Sequence, residues 1–399
     1  MRALVIASLL AAAALVVGGC ASGDGSSGPG TDGSSSGGSG SGGGSGSSSS
    51  GGSSGGSSGS SSGGSSGSGS SSGGSSSGGS SGGGSSGGSS GGGSSGGSSG
   101  GGSGSSSGGT NPGVPNIGGC QVFPADNPWN TRIDDTNAYP VHPSSATYIA
   151  SMSATTHLHP DWGDWSTNHY GIPWQVVPAG QAMVPMTFDT ASESDPGPYP
   201  FPANALVEGG ANSGGDMHVL VVESGSCALY ETWSTTYTGP GWHAGSGAKF
   251  DLSANTLRPD GWTSADAAGL PILPGLVRVS EVTAGAINHA LRFTVASTQQ
   301  GFIHPATHAA GSANTSLPPM GLRLRLKSTF DTSPFSGATL VILTAMKQYG
   351  LILADNGSNW YVSGDSDDKW IPLIDQIVSD FGKVTGNDFE AVQTGPILQ

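Results

Sequence analysis

Asp216 and His218 stand two residues apart in Gly215-Asp216-Met217-His218, and Glu231 follows in Tyr230-Glu231-Thr232-Trp233, beyond a turn signal at Ser224-Gly225-Ser226. Side chains alternate along a strand, so Asp216 and His218 are expected on one face. In a hairpin the loop length sets the register. A two-residue loop puts Glu231 on the face of His218, and a three-residue loop puts it on the other. On one face the three residues form a general acid/base set. A histidine–carboxylate pair suits proton transfer near neutral pH, and two carboxylates about 5–9 Å apart suit glycoside hydrolysis. A half-exposed strand shows the same polar–apolar alternation without any chemistry.

Four other groupings carry weaker signals. His157, His159 and Asp161 alternate in His157-Leu158-His159-Pro160-Asp161, as three metal ligands on a strand would, with His169 as a fourth. His304 and His308 are spaced as on one helix face, but Pro305 and the lack of a Glu argue against a metalloprotease motif. Arg323, Arg325 and Lys327 alternate with Leu322, Leu324 and Leu326. They form a row that is expected either to receive the carboxylates of an acidic polysaccharide or to pair outwardly with acids of the chain. Asp365, Asp367 and Asp368 resemble a hard-cation loop without the Gly and distant Glu of an EF-hand, and they equally suit the acidic N-terminus of a helix at Trp370. Trp233, Trp242 and Trp262 are the candidate sugar platforms, because flat rings offer apolar area to a sugar face.

These residues need a folded body, and composition locates it. The chain has 399 residues, 73 of them Gly, with 12 Lys+Arg against 27 Asp+Glu and a formal net charge of -15. So few basic residues disfavour a nucleic-acid partner, which needs clustered Lys and Arg. Every aromatic residue and histidine falls after residue 110, and residues 111–399 are expected to form the globular domain. Ser22 to Gly109 is almost only Ser and Gly, broken by Asp24, Pro29, Thr31 and Asp32. Such a stretch has no apolar surface to bury, so residues 20–110 are expected to be a disordered tether with a span of roughly 50–60 Å.

At the front, Met1-Arg2 precedes the apolar run Ala3–Val17, too short to span a bilayer comfortably, which ends in Val17-Gly18-Gly19-Cys20. This ending resembles the lipobox of bacterial lipoproteins, with Val17 where Leu is usual. The resemblance covers residues 1–20. It implies a signal peptide over 1–19, a diacylglycerol on the thiol of Cys20 and usually a further acyl chain. Together these give stable membrane attachment. With Ala21 and not Asp after the Cys, it also implies the outer membrane or cell surface of a diderm envelope. Cys120 and Cys227 then remain as an even pair in an exported chain and are expected to form a disulfide.

Runs of β-branched and aromatic residues predict strands at Trp174–Val177, Met183–Phe188, His218–Glu223, Cys227–Thr235, Ala290–Val295, Gly321–Lys327, Leu351–Ala354 and Trp360–Val362. Helices are expected at Gly337–Tyr349, with Gly350 as the C-terminal cap, and at Trp370–Phe381. Residues 193–215, 239–247 and 260–275 read as ordered loops. The expected fold is mainly β: a β-sandwich or jelly-roll-like domain with two C-terminal helices. The segments Trp242–Asp251 and Leu257–Arg278 resemble secreted bacterial proteins of uncharacterised function, and that resemblance assigns no catalytic residue. The functional expectation is a monomeric, envelope-anchored lipoprotein acting on polysaccharide as a hydrolase or lyase. Asp216, His218 and Glu231 are expected to be catalytic, with Trp233, Trp242, Trp262, Arg323 and Arg325 binding the glycan and no cofactor beyond a divalent cation at Asp365, Asp367 and Asp368. The alternatives are a non-catalytic glycan- or cell-wall-binding lipoprotein and a structural protein of envelope assembly.

Overall fold

A computed structural model describes residues 113–399. The expected signal peptide, the expected lipidation site Cys20 and the Ser/Gly stretch lie outside the described residues. Strands β1 Asn116–Ile117 and β2 Cys120–Gln121 are followed by helix α1 Ser145–Ser151, then β3 His159–Asp161, β4 Trp174–Val177 and β5 Met186–Phe188. The middle of the chain holds β6 Val219–Glu223, β7 Ala228–Trp233, β8 Thr236–Tyr237, β9 Trp242–Ala244, β10 Ser246–Asp251 and helix α2 Val279–Ala284. The last third holds β11 Leu291–Val295, β12 Arg323–Leu326, α3 Gly337–Gln348, β13 Leu351–Asn356, β14 Tyr361–Ser363, α4 Ile374–Phe381 and β15 Phe389–Val392. The described domain is therefore mainly β with four α-helices, two of them in its last third.

Two mixed sheets carry the body. One has the order β10-β7-β6-β4, and the other has the order β15-β12-β13-β11-β14-β3. Strands β13 and β14 flank β11 and do not pair with each other, so the turn after Asp355 joins strands across a neighbour. A third sheet, β5-β9-β8, encloses a second core with Tyr199, Phe201 and Val219. Residues 239–247, expected as loop, instead supply strands. Ser246–Asp251 is held extended by its full ladder with β7, where tertiary pairing overrides weak local propensity. The expected helix at Trp370 divides into a single 3-10 turn over Asp368–Trp370 and then α4, with Pro372 lying between them.

The six-stranded sheet is covered on both faces. Register aligns Arg323, Ile352, Arg292, Ser363 and Asp161 across it, while Leu324, Leu351 and Leu291 align on the opposite face. Helices α1, α3 and α4 pack on this sheet through β15, β12 and β3. A long buried segment, residues 264–279, runs past both sheets and is hidden from solvent almost throughout. Such a segment must find internal partners for its backbone polar groups, and this need brings charged side chains into the interior.

Cys120 and Cys227 form the expected disulfide, with a Cα–Cα distance of 5.3 Å and a sequence separation of 107. It ties the start of the domain to the β6–β7 turn, and a loop of that length contributes about 4–5 kcal/mol in the chain-entropy treatment. Gly350 follows α3 with φ +76, and its N–H donates to the Ala345 carbonyl. A Cβ there would stand 2.1 Å from the Leu324 carbonyl oxygen. Gly350→Ala is accordingly expected to lower the unfolding free energy by about 2–4 kcal/mol in urea titrations, from left-handed strain and overpacking together.

Candidate acid–base site

The hairpin sets the first half of the site. Leu220 pairs with Glu231, so His218, two residues before Leu220, falls on the face of Glu231. The connecting loop spans four residues, not two, but an even loop keeps the same parity. Both side chains hold the buried 264–279 segment. Glu231 is fully buried, and its two carboxylate oxygens accept from the Ile272 and Leu273 N–H groups at 2.8 Å each. The His218 ring is 4% exposed; its Nε2 lies 3.1 Å from the Ala265 carbonyl and its Nδ1 2.6 Å from Glu208 Oε2. Both ring nitrogens thus face acceptors, which demands the doubly protonated imidazolium. Burial pushes His218 down, but the charge and hydrogen bond of Glu208 outweigh it, and the group rises to about 9.

The six-stranded sheet supplies the second half. Arg292 donates through Nη1 to Ser363 Oγ at 2.6 Å and through Nε to Asp266 Oδ2 at 3.2 Å, and its Nη2 lies 3.8 Å from Asp355. Asp355 reaches this face because the β11–β13 register slips between Phe293 and Thr294, so that Thr294 pairs with Asp355 and not with Ala354. A bulge of this kind re-aims a side chain that simple alternation would turn away. Further along the same face, Tyr170 donates to Asp161 Oδ1 at 2.7 Å. The phenol proton is thereby committed, so His159 Nε2, 3.0 Å from the Tyr170 oxygen, is the donor of that bond. The His159 ring stacks on Tyr361 at 4.0 Å.

Electrostatics joins the halves. The Asp161 carboxyl is raised first by burial, with Glu208 and Asp216 adding repulsion, and Asp355 is raised to about 7 by burial and the charge of Asp266, against the pull of Arg292 and His218. Asp266 is raised by burial despite Arg292, and Glu231 is raised to about 7 by burial against its two backbone donors. Asp355, with its side chain 27% exposed, Glu208, at 22%, and the half-buried Asp161 reach solvent. His218, Asp266, Arg292 and Glu231 lie behind them. The arrangement can offer a proton from a carboxyl that keeps it near neutrality and can stabilise nearby negative charge with two buried cations.

The expected catalytic residues are therefore placed differently from one another. His218 belongs to this cluster. Glu231 shares its face but is sealed by backbone donors. Asp216 precedes β6, and the left-handed Met217 (φ 49) breaks the alternation expected to align it with His218. It is exposed, accepts from Trp233 Nε1 at 3.3 Å and acts on His218 only through its charge. Trp233 is 42% exposed, Trp242 is buried at 3%, and Trp262 is half-buried beneath Arg258. The arginine row is not an exposed receptor. Arg323 is buried and donates to the carbonyls of Pro128, Thr131 and Tyr349, and Arg325 to those of Ile133 and Tyr139 and to Glu390. Residues 128–139 lie across the row, and their carbonyls need the donors.

The three aspartates read as a cation loop have separate partners. Asp365 accepts from Val279 N–H, Trp174 and Trp370, Asp367 caps the turn at Lys369, and Asp368 accepts from the Trp165 and Ser166 N–H groups. His157 and His169 stand apart from His159 and Asp161: His157 bridges to Thr385, and His169 packs on Trp165. His304 meets Asp260, and His308 meets the Ala267 carbonyl. Among the described residues no group of three His, Cys, Asp or Glu side chains converges as metal ligands.

Sequence reasoning missed Tyr170, Glu208, Asp266, Arg292 and Asp355. Arg292 gave the one readable signal: a charge set between Leu291 and Phe293 in an apolar strand is either at an edge or paired inside. No protein-family model, curated protein or solved structure matches the chain.

The shifted groups make stability pH-dependent with a definite sign. Asp355 and Glu231 move from 3.8 and 4.5 unfolded to about 7 folded, so their contribution is full below the unfolded values and drains as pH rises towards 7. His218 adds stability that is full below 6.5 and lost as pH rises through about 9. Glu281 is opposite: burial raises it, but Arg278 and His289 win and hold it at about 2, so its contribution is lost as pH falls below 4.5. Urea unfolding is expected to give maximum stability near pH 4–5 and a loss of about 3 kcal/mol or more by pH 9. A flat or rising profile between pH 5 and 9 contradicts this assignment.

Proposed function

We propose that the chain is an envelope lipoprotein, anchored through Cys20, whose globular domain acts on polysaccharide as a hydrolase or lyase. In this reading Asp355 is the proton donor, with Asp161 and Tyr170 beside it. The Glu208–His218 pair and Arg292 stabilise the charge that develops, Asp216 tunes His218 from the rim, and Glu231 positions the segment that carries Asp266. The observation that carries the reading is the convergence of solvent-reaching carboxyls with His218 and Arg292 between the two mixed sheets, next to half-exposed aromatic rings. The Arg292 face of one sheet and the His218–Glu231 face of the other both bond to residues 264–279, through Asp266 and through Ala265, Ile272 and Leu273, which further supports a sandwich-like body with that segment as its filling.

The test is a screen of the full-length protein against neutral and uronate polysaccharides, following new reducing ends for a hydrolase and unsaturated uronate absorbance for a lyase. Product formation that depends on Asp355 supports the reading, and the absence of product from every glycan sinks it. The exposed rings of Trp233 and Tyr237, at 42% and 45%, favour a second reading as a glycan-binding lipoprotein without turnover. The anchor is tested separately. Cys20→Ser is expected to move the protein from the membrane to the soluble fraction, and unchanged detergent partitioning would remove the anchor from the proposal.

A further inference from the structure

A cavity of about 310 Å³, lined by no residue of the acid–base cluster, opens between the loop 203–212 and strands β8 and β9. Its size lies at the lower end of the range for small-molecule sites, roughly 300–1,000 Å³. Its lining includes Trp242, Tyr237, Asn204, Asn212 and Thr235 and contains no Asp, Glu, Lys, Arg or His. The Tyr237 and Trp242 rings lie 5.0 Å apart and tilted, with Tyr237 45% exposed. Asn204 and Asn212 are exposed, and their amides make no hydrogen bond within the described protein. The buried Nε1–H of Trp242 has no acceptor.

We infer that this cavity is a binding subsite for one neutral pyranose unit of a glycan. The reasoning follows the lining. A charged ligand would meet no counter-charge here, which excludes uronates, phosphates and amines as preferred occupants. A purely apolar ligand would leave the two free amides unsatisfied. A neutral sugar matches both features, with a C–H face for the exposed Tyr237 ring and hydroxyls that accept from and donate to the amides. Val207 lines the cavity, and the next residue, Glu208, holds His218. The occupied subsite therefore bears on the same short loop that arms the proposed catalytic cluster.

This inference deepens the polysaccharide reading and rests on it for the class of ligand. Its test is calorimetric titration of the full-length protein with neutral hexamers of glucose, xylose, mannose, galactose and N-acetylglucosamine, and with a hexamer of galacturonic acid. At least one neutral hexamer is expected to bind, at least tenfold more tightly than the uronate. Tyr237→Ala is expected to weaken binding tenfold or more, and Asn204→Ala/Asn212→Ala several-fold. Tyr237 is exposed enough for its variant to fold, which circular dichroism checks, and the asparagine pair provides a second, independent variant. Asp355→Asn should bind as the natural chain does. Failure of every neutral hexamer to bind, equal binding of the uronate, or full binding by both cavity variants overturns the inference. Cleavage without binding at this cavity defeats the inference and leaves the catalytic reading standing. Tyr237-dependent binding without any cleavage does the reverse.

Discussion

Asp355→Asn is expected to reduce turnover of the best glycan substrate by about 10²–10⁴-fold while leaving the fold intact. The side chain keeps its shape, and its carbonyl oxygen still accepts from the Asn356 N–H, now 2.7 Å from Asp355 Oδ1. What disappears is the ionisable proton. Asp355 holds that proton up to about pH 7, so the proposed activity of the natural chain is expected to fall as pH rises past 7. The amide variant should show only a low, flat residual rate. Its stability near pH 8 should equal or exceed that of the natural chain, because a buried carboxylate charge has been removed. Steady-state rates across pH 5–9, paired with urea unfolding, separate this outcome from simple misfolding. Unchanged turnover would remove Asp355 from the catalytic role.

Arg292→Met is expected to cost about 3–5 kcal/mol of folding stability, the usual penalty when one partner of a buried ion pair is deleted. Asp266 has a side chain with no exposure, its second oxygen already has no partner, and Arg292 is the cation bonded to its Oδ2. Ser363 loses its donor as well. Methionine restores volume but not charge. The double variant Arg292→Met/Asp266→Asn should recover part of the loss, because an unpaired carboxylate is costlier than an amide. Acid should have the same direction of effect, since protonation of Asp266 removes the uncompensated charge. Denaturant midpoints at pH 5 and pH 8 check both, and a loss below 1 kcal/mol for the single variant would show that the network is not load-sharing in this way.

The strands rich in Val, Ile, Leu and aromatics, β4, β6, β7, β11 and β13, were legible because side-chain type and turn signals agree there. The disulfide followed from counting once the lipobox resemblance set Cys20 aside. Strands β9 and β10 were hidden because the glycines around them make residues 239–247 read as loop, and pairing with β5, β8 and β7 holds them extended. The face of Glu231 stays open in the sequence, because it depends on the loop length, and the four-residue turn settles it with His218; alternation then fails one step before β6, where Met217 turns left-handed. Asp355 was unreadable for the opposite reason: a bulge reverses the face that alternation assigns. The arginine row reads as outward from the sequence because a strand's own pattern says which residues share a face, not what covers that face. Residues 128–139, distant in sequence, decide it.

The covalent bridge between Cys120 and Cys227 also fixes how a mechanical load would travel. A pull on the chain upstream of Cys120 meets the sulfur–sulfur bond almost at once and is passed to the β6–β7 turn. Residues 121–226, which contain Asp161, Glu208 and His218, stay slack in parallel with that bond. For a protein proposed to hang from a membrane while gripping a large glycan, tension from drag or growth would bypass the proton-handling residues of this loop and be borne by β7 and the strands paired to it.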